Sequence, residues 1–336
     1  MSKILVFVEL RGDDVADVSI ELISKAKELG SSIGGEVIAA VLGYDLIQDF
    51  SFLGRYGCDR VYKIEHKILK HYTSYPYAKS LVELIKEIRP DIVLFGATYI
   101  GRDLAPRVAS SLGCGLTADC TDLKIEDFKF RGKLYKNQLL QIRPAWGGNI
   151  IATIVSPEVS PSMATVRKGV FLKKEFSNNL CEVKTFRPNL SEEDLLSEVL
   201  HVEKRPKSVD LHGAKVIVGV GMGAANEKTF GLIKELADVL GAQIGATRPV
   251  VDSGFLPKEC QIGQTGVTVR PNLYIACGIS GQIQHRAGIL GAKRIIAINK
   301  DPKAPIFDIA HYGIVGDLNI VLPKIIKVYK QKLWEV

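Results

Sequence analysis

Short apolar runs and longer stretches with helical spacing follow one another regularly from residue 4 to residue 112. The short runs predict strands at Ile4–Glu9, Glu36–Leu42, Asp59–Ile64 and Asp91–Phe95. The longer stretches predict helices at Val15–Leu29 ended by Gly30, Asp45–Leu53, Tyr77–Ile88 stopped by Pro90, and Gly101–Leu112 ended by Gly113. Because strands and helices alternate, the pattern predicts a mostly parallel sheet with helices on both faces.

The pattern changes after residue 116, where strand-like runs follow one another without helices between them. These runs are Asp119–Ile125, Lys129–Leu134, Gln138–Ile142 and Ile150–Ile154. They predict an antiparallel extension of the sheet. The stretch from Lys173 to Pro206 is charged and irregular, so we place a domain linker at residues 191–207. Within it, Ser191 before three acidic residues predicts a short capped helix.

The alternation of strands and helices resumes after the linker. Strands are predicted at Lys215–Val220, Gln243–Ala246, Asn272–Ala276, Arg294–Ile298 and from Ile314. Helices are predicted at Glu227–Leu240 before Gly241, from Ser280 to Ala287, and at Leu318–Val328. The chain is therefore predicted to be an α/β protein of two domains. Residues 1–190 form an α/β domain with an antiparallel strand extension, and residues 208–336 form a doubly wound parallel-sheet domain.

Composition narrows the class of protein. The 336 residues are 46% apolar, which is ample for two cores, and the net charge is +7 with Lys and Arg scattered along the chain. We therefore do not expect nucleic-acid binding; the scattered charge instead favours a docking surface for an acidic protein.

The six cysteines have neither CxxC nor zinc spacing, as in reduced cytoplasmic proteins. No signal peptide and no apolar run of ~18 residues is present, so a cytoplasmic location without membrane insertion is expected.

A glycine loop, Gly219-Val-Gly221-Met-Gly223-Ala224, follows the predicted strand Lys215–Val220. It fits the GxGxx[GA] pattern, in which glycines let a pyrophosphate approach the backbone. No acidic residue ends the next strand, where Arg248 stands instead. Two interpretations of this loop therefore remain open: it is the binding loop of an NADP-type oxidoreductase, or it is a tight turn that binds no ligand.

Three further segments with polar and glycine residues lie next to predicted strands. The loop from Gln261 to Gly266 can present N–H groups and a hydroxyl to a heteroaromatic ring, or be an ordinary turn. Ser280 is predicted to cap a helix that faces a phosphate, with His285 either a ligand contact or a core residue. Asn299 and Asp317 each end a strand, although Asp317 could be only a helix cap. No nucleophile–base pair accompanies them, so we expect a cofactor holder with no catalytic residue and no metal.

Together these segments resemble the alpha subunit of the electron transfer flavoprotein. The resemblance is carried by QIGQTG, LYIACGISGQIQH and IIAINKDPKAPIFDIAHYGIVGDL in the second half. In the first half it is carried by TYIGRDLAPR from Thr98, by Leu116–Asp119, by RPAWGGNI from Arg143, and by Met163–Arg167. It therefore covers essentially the whole chain.

The resemblance implies a heterodimer with a beta subunit that carries electrons on FAD. Its expected partners are an acyl-CoA dehydrogenase or a similar flavoenzyme and a second redox protein. Some members of the family work with such partners in bifurcating complexes. Because residues 1–190 hold no ligand motif comparable to those after residue 215, we expect them to be the platform for the beta subunit, with the FAD domain swivelling on the linker. The chain shows no CxxC-rich ferredoxin-like extension, so no iron–sulfur cluster is expected. The alternative is a nicotinamide-dependent oxidoreductase that uses the Gly219–Ala224 loop.

The same resemblance assigns roles to residues. Arg248 should lie against the flavin ring, Gln264 and Thr265 near N5, and His285 at the O2 and N1 edge. Residues 280–284 should hold the pyrophosphate and ribityl chain. Met222 stands where the family often has arginine. The full set of expected contacts is Gly223, Thr247, Arg248, Ile262, Gly263, Gln264, Thr265, Ser280, Gly281, Gln282, Ile283, Gln284, His285, Asn299, Asp317 and Leu318.

Overall fold

The structure is a computed structural model that describes residues 2–12, 14–145, 151–203, 211 and 213–333. The chain separates into two compact units, residues 1–202 and residues 203–336. Each unit has a parallel sheet with apolar clusters on both faces. The predicted α/β fold class is confirmed. The first-half motif residues 146–150 lie outside the described residues.

The first unit contains twelve strands and three α-helices among the described residues. The strands are β1 (Lys3–Val8), β2 (Leu10–Arg11), β3 (Asp14–Val15), β4 (Glu36–Gly43), β5 (Arg60–Glu65), β6 (Ile92–Gly96), β7 (Leu116–Cys120), β8 (Asp122–Phe130), β9 (Lys133–Pro144), β10 (Ile151–Ile154), β11 (Ser162–Val166) and β12 (Glu182–Phe186). The helices are α1 (Asp17–Ile33), α2 (Ser74–Ile88) and α3 (Tyr99–Leu112). Seven strands form one parallel sheet in the order β12-β5-β4-β1-β6-β11-β7.

Alternating residues of β1 show how this sheet is buried on both faces. Ile4 and Val6 belong to the cluster that includes α1, whereas Leu5 and Phe7 belong to the cluster of α2 and α3. Successive strand side chains point to opposite faces, so a strand covered on both sides must be continuously apolar. This requirement is why KILVFV was recognisable as a strand from the sequence.

The antiparallel strands form a sheet of their own, in the order β10-β9-β8. The predicted strand over 129–134 is instead the tip of the β8–β9 hairpin, where Arg131 and Gly132 have φ of 48° and 79°. Residues 116–120 do not belong to these antiparallel strands; they form β7, which pairs with β11 in the parallel sheet. The predicted extension therefore exists, as a separate three-stranded sheet rather than as added strands of the main one.

Two helix predictions are corrected by the structure. Helix α1 continues through Gly30 and ends at Ile33, because the left-handed turn that terminates it is made by Gly34, with φ of 61°. The segment predicted as a helix at 45–53 is a 3-10 helix at Phe50–Tyr56, and the Asp49 side chain accepts a hydrogen bond from the Ser51 N–H at its start. The predicted short helix in the linker is present as a 3-10 turn at Glu192–Asp194, with a capping box from Ser191.

The second unit contains five strands and four α-helices among its described residues. The strands are β13 (Val216–Val220), β14 (Gln243–Ala246), β15 (Leu273–Cys277), β16 (Ile295–Asn299) and β17 (Tyr312–Val315). The helices are α4 (Glu227–Leu240), α5 (Arg248–Asp252), α6 (Ile283–Arg286) and α7 (Leu318–Leu333). All five strands are parallel, in the order β14-β13-β15-β16-β17. The chain leaves β13 toward one edge and returns to the other side with β15, so their carboxyl ends form a topological switch point.

Among the described residues, none of the helices combines the length and the apolar character that a membrane span requires. No group of three or more His, Cys, Asp and Glu side chains in the same residues is arranged to hold a metal ion.

The first turn of α3 rests on the end of β6, and Gly101 makes this contact possible. A Cβ at Gly101 would overlap the carbonyl oxygen of Gly96. We expect Gly101→Ala to destabilise the first unit by roughly 2–4 kcal/mol, because the helix must move away from the sheet. Thermal denaturation measures the loss.

Gly231 is the matched control, since it also lies within a helix but a Cβ there meets no atom within 4 Å. Gly231→Ala should raise stability by about 0.5–1 kcal/mol through the better helix propensity of alanine. Equal effects of the two substitutions would contradict the packing argument.

Candidate functional site

A cavity of about 730 Å³ lies at the carboxyl ends of β13 and β15 in the second unit. Five segments, each following a strand or lying beside one, contribute its walls. The lining residues are Gly221, Met222, Gly223, Thr247, Arg248, Pro249, Gln261, Ile262, Gly263, Gln264, Thr265, Gly278, Ile279, Ser280, Gln282, Gln284, His285, Asn299, Asp301, Ala304 and Pro305. The cavity therefore lies where a doubly wound sheet is expected to bind its ligand.

Most residues expected from the sequence line this one cavity. Those brought together are Gly223, Thr247, Arg248, Ile262, Gly263, Gln264, Thr265, Ser280, Gln282, Gln284, His285 and Asn299. Four expected residues do not line it: Gly281, Ile283, Asp317 and Leu318. The structure thus gathers five segments, which extend from Gly223 to Asn299 in the chain, around a single cavity.

The four residues outside the cavity have other structural roles. Gly281 has φ of 89°, and a Cβ there would overlap the backbone of Ile306. The Asp317 carboxylate accepts from the Asn319 N–H at 2.8 Å and pairs with Lys300 at 2.9 Å, so it caps the start of α7. Leu318 is buried in the core beneath that helix, and Ile283 is the first residue of α6.

The glycine loop after β13 is shaped by protein packing. A Cβ at Gly219 would overlap the hydroxyl of Tyr274, and a Cβ at Gly221 would overlap the carbonyl oxygen of Gly278. A 3-10 turn follows at Met222–Ala224, and α4 begins only after Asn226, whose side chain caps it. The dinucleotide motif needs a helix that starts directly at the glycines. The nicotinamide-binding interpretation of this loop therefore loses its physical basis.

The loop that starts at Gln261 presents a hydroxyl donor. The buried Gln261 side chain donates from Nε2 to Thr265 Oγ1 at 3.0 Å. Because that oxygen already accepts a hydrogen bond, the hydroxyl proton of Thr265 is available to a ligand in the cavity. The Gln264 N–H donates to the Gln284 carbonyl at 2.7 Å, which ties this loop to the next one. Gln264 presents its exposed side chain beside it.

The loop after β15 differs from its prediction. Ser280 does not cap a helix, because Gly278 and Gly281 both adopt positive φ and turn the backbone before α6 begins at Ile283. The Ser280 carbonyl accepts from the Ile306 N–H at 3.0 Å. Within the described part of the chain, the N–H groups of residues 280–282 donate to no backbone carbonyl. Successive unpaired N–H groups in such a turn form a concavity suited to an anion.

His285 is held by hydrogen bonds at both ring nitrogens. Nδ1 lies 3.0 Å from the Ile262 carbonyl oxygen, and Nε2 lies 3.0 Å from the Tyr274 hydroxyl. A carbonyl can only accept, so Nδ1 carries the proton and Nε2 accepts from Tyr274. Burial lowers the pKa of His285 to about 4. His285 nevertheless lines the cavity, and its expected contact with a flavin stays a prediction.

Comparison with known proteins places this arrangement in a family. The electron transfer flavoprotein domain matches residues 4–189, and the electron transfer flavoprotein FAD-binding domain matches residues 210–290. The electron transfer flavoprotein subunit alpha of Thermoanaerobacterium thermosaccharolyticum is 45% identical over 98% of both chains. The chain belongs to the electron transfer flavoprotein alpha subunit family.

Two other relatives of this family carry more specific names. The acryloyl-CoA reductase electron transfer subunit beta of Anaerotignum propionicum is 43% identical, over 98% of this chain and 95% of its own length. A lactate dehydrogenase (NAD+, ferredoxin) subunit of Acetobacterium woodii is 42% identical, over 96% of this chain and 76% of its own length. The resemblance inferred from the motifs is thus confirmed, and membership supports a flavin cofactor.

Charge is sparse in the cavity of this electron transfer flavoprotein subunit. Among the described lining residues, Arg248 is the cation and Asp301 the carboxylate, because His285 is neutral. Arg248 is 65% exposed and pairs with Asp252 at 3.2 Å. Met222 is 54% exposed and adds no charge. Positive charge at the cavity therefore depends on Arg248.

Sequence reasoning missed several residues that build the site. Gln261 and Tyr274 position other side chains, and Ala304 and Pro305 form part of the wall beyond β16. The Asn299 side chain donates to the Ile279 carbonyl at 2.8 Å, so it braces the loop after β15. The position of Ala304 and Pro305 just after a strand end was the one signal that could have found them.

The depressed pKa of His285 should make the stability of the protein depend on pH. Between the unfolded value of 6.5 and the folded value of about 4, only the unfolded chain takes up the proton. The free energy of unfolding should therefore fall as pH falls, by about 2 kcal/mol from pH 7 to pH 5. Urea denaturation at several pH values measures this slope.

His285→Gln supplies the control, because glutamine does not titrate. The variant should lose this component of the slope over the same interval, whatever its absolute stability. Parallel curves for the two proteins would show that His285 is protonated in the folded state as easily as in the unfolded state.

Proposed function

We propose that the chain is the FAD-containing alpha subunit of a heterodimeric electron transfer flavoprotein. It passes electrons between acyl-CoA dehydrogenase-type flavoenzymes and a second redox partner, including partners in a bifurcating complex. The observation that carries the proposal is the cavity at the β13–β15 switch point. Its walls combine a hydroxyl donor, unpaired N–H groups and one cation.

The residues present fit a flavin dinucleotide. The cavity volume of about 730 Å³ falls within the range of about 300–1,000 Å³ that is usual for cofactor sites. The N–H groups of residues 280–282 can hold a diphosphate without a cation. Thr265 can donate to an acceptor nitrogen of a ring, and Arg248 can lie beside it. The lining therefore has separate places for the diphosphate and for the ring.

FAD, when bound, supplies a carrier of one or two electrons. The chain contributes the surroundings that set how readily the electrons are held. Arg248 stays charged at any working pH and stabilises negative charge that develops nearby. Thr265 offers a hydrogen bond whose direction is fixed by Gln261. His285 stays neutral and excludes water from the wall.

The relatives' names support the choice of partners. Two of them are named as subunits of an acryloyl-CoA reductase and of a lactate dehydrogenase (NAD+, ferredoxin). A flavoenzyme that acts on an acyl-CoA or a hydroxy acid is therefore the proposed donor or acceptor. The beta subunit of the family is the proposed partner of the heterodimer, and we propose that residues 1–190 carry it.

The cofactor proposal is tested by the absorption spectrum of the subunit purified with its beta subunit. We expect flavin bands in the near ultraviolet and the blue, and FAD in the extract after denaturation. A preparation that stays colourless after reconstitution with FAD, yet binds a nicotinamide dinucleotide, would favour the oxidoreductase alternative.

The role of Arg248 is tested by Arg248→Ala. Loss of the fixed cation should lower the midpoint potential of the bound flavin by tens of millivolts, on the order of what an exposed charged contact contributes. A spectroelectrochemical titration measures the potential. Arg286→Ala is the control, because Arg286 also pairs with one carboxylate, Asp308, but does not line the cavity. Equal potentials in the two variants would remove Arg248 from the site.

A further inference from the structure

Cys58 and Cys181 lie side by side at one edge of the main sheet of the first unit. Cys58 comes two residues before β5 and Cys181 one residue before β12, and these strands pair in parallel with Glu182 opposite Arg60. Extending that register by one position places Cys181 next to Asp59 and Cys58. The two thiols are joined by a hydrogen bond. The fold therefore brings together two thiols that are far apart in the chain.

The backbone on both sides of the pair is held by the 3-10 helix that precedes Cys58. The Cys181 N–H donates to the Ser51 carbonyl at 3.0 Å, and the Cys58 N–H donates to the Leu53 carbonyl at 3.2 Å. A Cβ at Gly54 would overlap the backbone nitrogen of Cys181, so this helix lies directly against the segment before β12. The same short helix thus fixes the position of both cysteines.

The spacing of the two backbones suits a disulfide. Parallel neighbours lie about 4.8 Å apart and successive residues about 3.3 Å along a strand, so a diagonal pair in this register has a Cα separation of about 6 Å. Disulfides span Cα separations of about 4.4–6.8 Å. The ion pair between Arg60 Nε and Glu182 at 2.7 Å, just after the two cysteines, holds the register. Bond formation therefore requires rotation of side chains rather than movement of strands.

The two thiols differ in their access to solvent and in their acidity. Cys58 is 4% exposed, whereas Cys181 is half-buried. Burial raises the pKa of the Cys58 thiol. The hydrogen bond from Cys58 lowers the pKa of Cys181. Because the thiolate is the form that attacks a disulfide, Cys181 is placed to meet an oxidant first and Cys58 to react second.

We propose that Cys58 and Cys181 are a redox-active pair that a small disulfide oxidant converts into an intramolecular disulfide. The Cys181 thiolate attacks one sulfur of the oxidant and forms a mixed disulfide, while the other sulfur leaves as a thiolate. Cys58 then loses its proton, attacks Cys181 Sγ and displaces the second half of the oxidant. The protein gives up two electrons and two protons, and the oxidant becomes two thiols.

The disulfide would fix the part of the first unit that leads into the linker. Strand β12 lies at the end of the sheet, pairs with β5 and has mostly exposed side chains. A bond between Cys58 and Cys181 ties its start covalently to the segment before β5. This bond can form whether or not a ligand occupies the second unit.

The test uses the full chain, reduced and then equilibrated with glutathione at increasing ratios of the oxidised to the reduced form. Free thiols are counted after denaturation, and the bond is mapped by mass spectrometry of unreduced peptides. We expect the loss of two of the six thiols and one peptide pair linked through Cys58 and Cys181. The melting temperature of the first unit should rise by roughly 5–15 °C, because the bond constrains the unfolded chain.

Two variants separate the roles of the thiols. Cys58→Ala leaves Cys181 without the partner that resolves the mixed disulfide, so Cys181 should retain one glutathione. Cys181→Ala removes the accessible thiol, so Cys58 should stay unmodified in the folded chain. Neither variant should show the rise in melting temperature on oxidation.

Cys114 is the matched control. It is also half-buried, but its sulfur lies 3.2 Å from the Met163 thioether, which cannot form a disulfide. Cys114→Ala should leave both the Cys58–Cys181 bond and the rise in melting temperature unchanged. Free thiols at Cys58 and Cys181 at the most oxidising ratio would overturn the proposal, and so would a lasting mixed disulfide at Cys181 in the unsubstituted chain.

Discussion

The close approach of two loops at the carboxyl ends of β13 and β15 is the constraint on which the site depends. Gly221 lies against the Gly278 carbonyl, and Gly219 lies against the Tyr274 hydroxyl, at distances that leave no space for a Cβ. Positive φ at Gly278 then turns the second loop away from the sheet. The cavity opens where this turn leaves the backbone N–H groups of residues 280–282 without protein acceptors. Glycines that resemble a phosphate-binding motif therefore act first as packing residues.

The same packing explains how charge is distributed around the cavity. The buried His285 and Tyr274 side chains are hydrogen-bonded to each other. Both stay neutral, because an ionised group at this depth would lose its hydration. Arg248, the one cation of the described lining, is largely exposed, so its charge stays hydrated. The described lining therefore combines a neutral inner wall with a charged rim. Such a site can hold an electron-carrying ring, and its inner side chains keep their protonation state when the charge of the ring changes.

The first unit has a switch point with different surroundings. Its switch point lies between β1 and β6, and there the Thr98 hydroxyl donates to the buried carboxylate of Glu9. Ser19 accepts from the Glu9 N–H at 2.9 Å, and α3 begins directly on the end of β6. Side chains of the unit thus bond one another beside this switch point, whereas the described cavity lies at the switch point of the second unit. The two sheets share an architecture, and the loops at their switch points differ.

The sequence by itself determined the elements whose pattern follows from burial on two faces. Strands β1, β13 and β15 and helices α3 and α4 were recognisable, and Gly113 and Gly241 mark the ends of those helices as predicted. Conversely β12 was missed, because an edge strand with exposed residues such as Glu182 and Lys184 has no apolar pattern. The motif segments could be assigned to one site, since each follows a parallel strand.

Only the tertiary structure decided the roles of particular side chains. Asp317 and Leu318 were expected at the cavity, but the start of α7 turns them toward a cap and the core. His285 lines the cavity as expected, but its hydrogen bonds to Ile262 and Tyr274 had no signal in the sequence. These partners lie 23 and 11 residues away in the chain. Local periodicity reports which face of an element is buried, whereas a hydrogen bond between elements depends on how those elements pack.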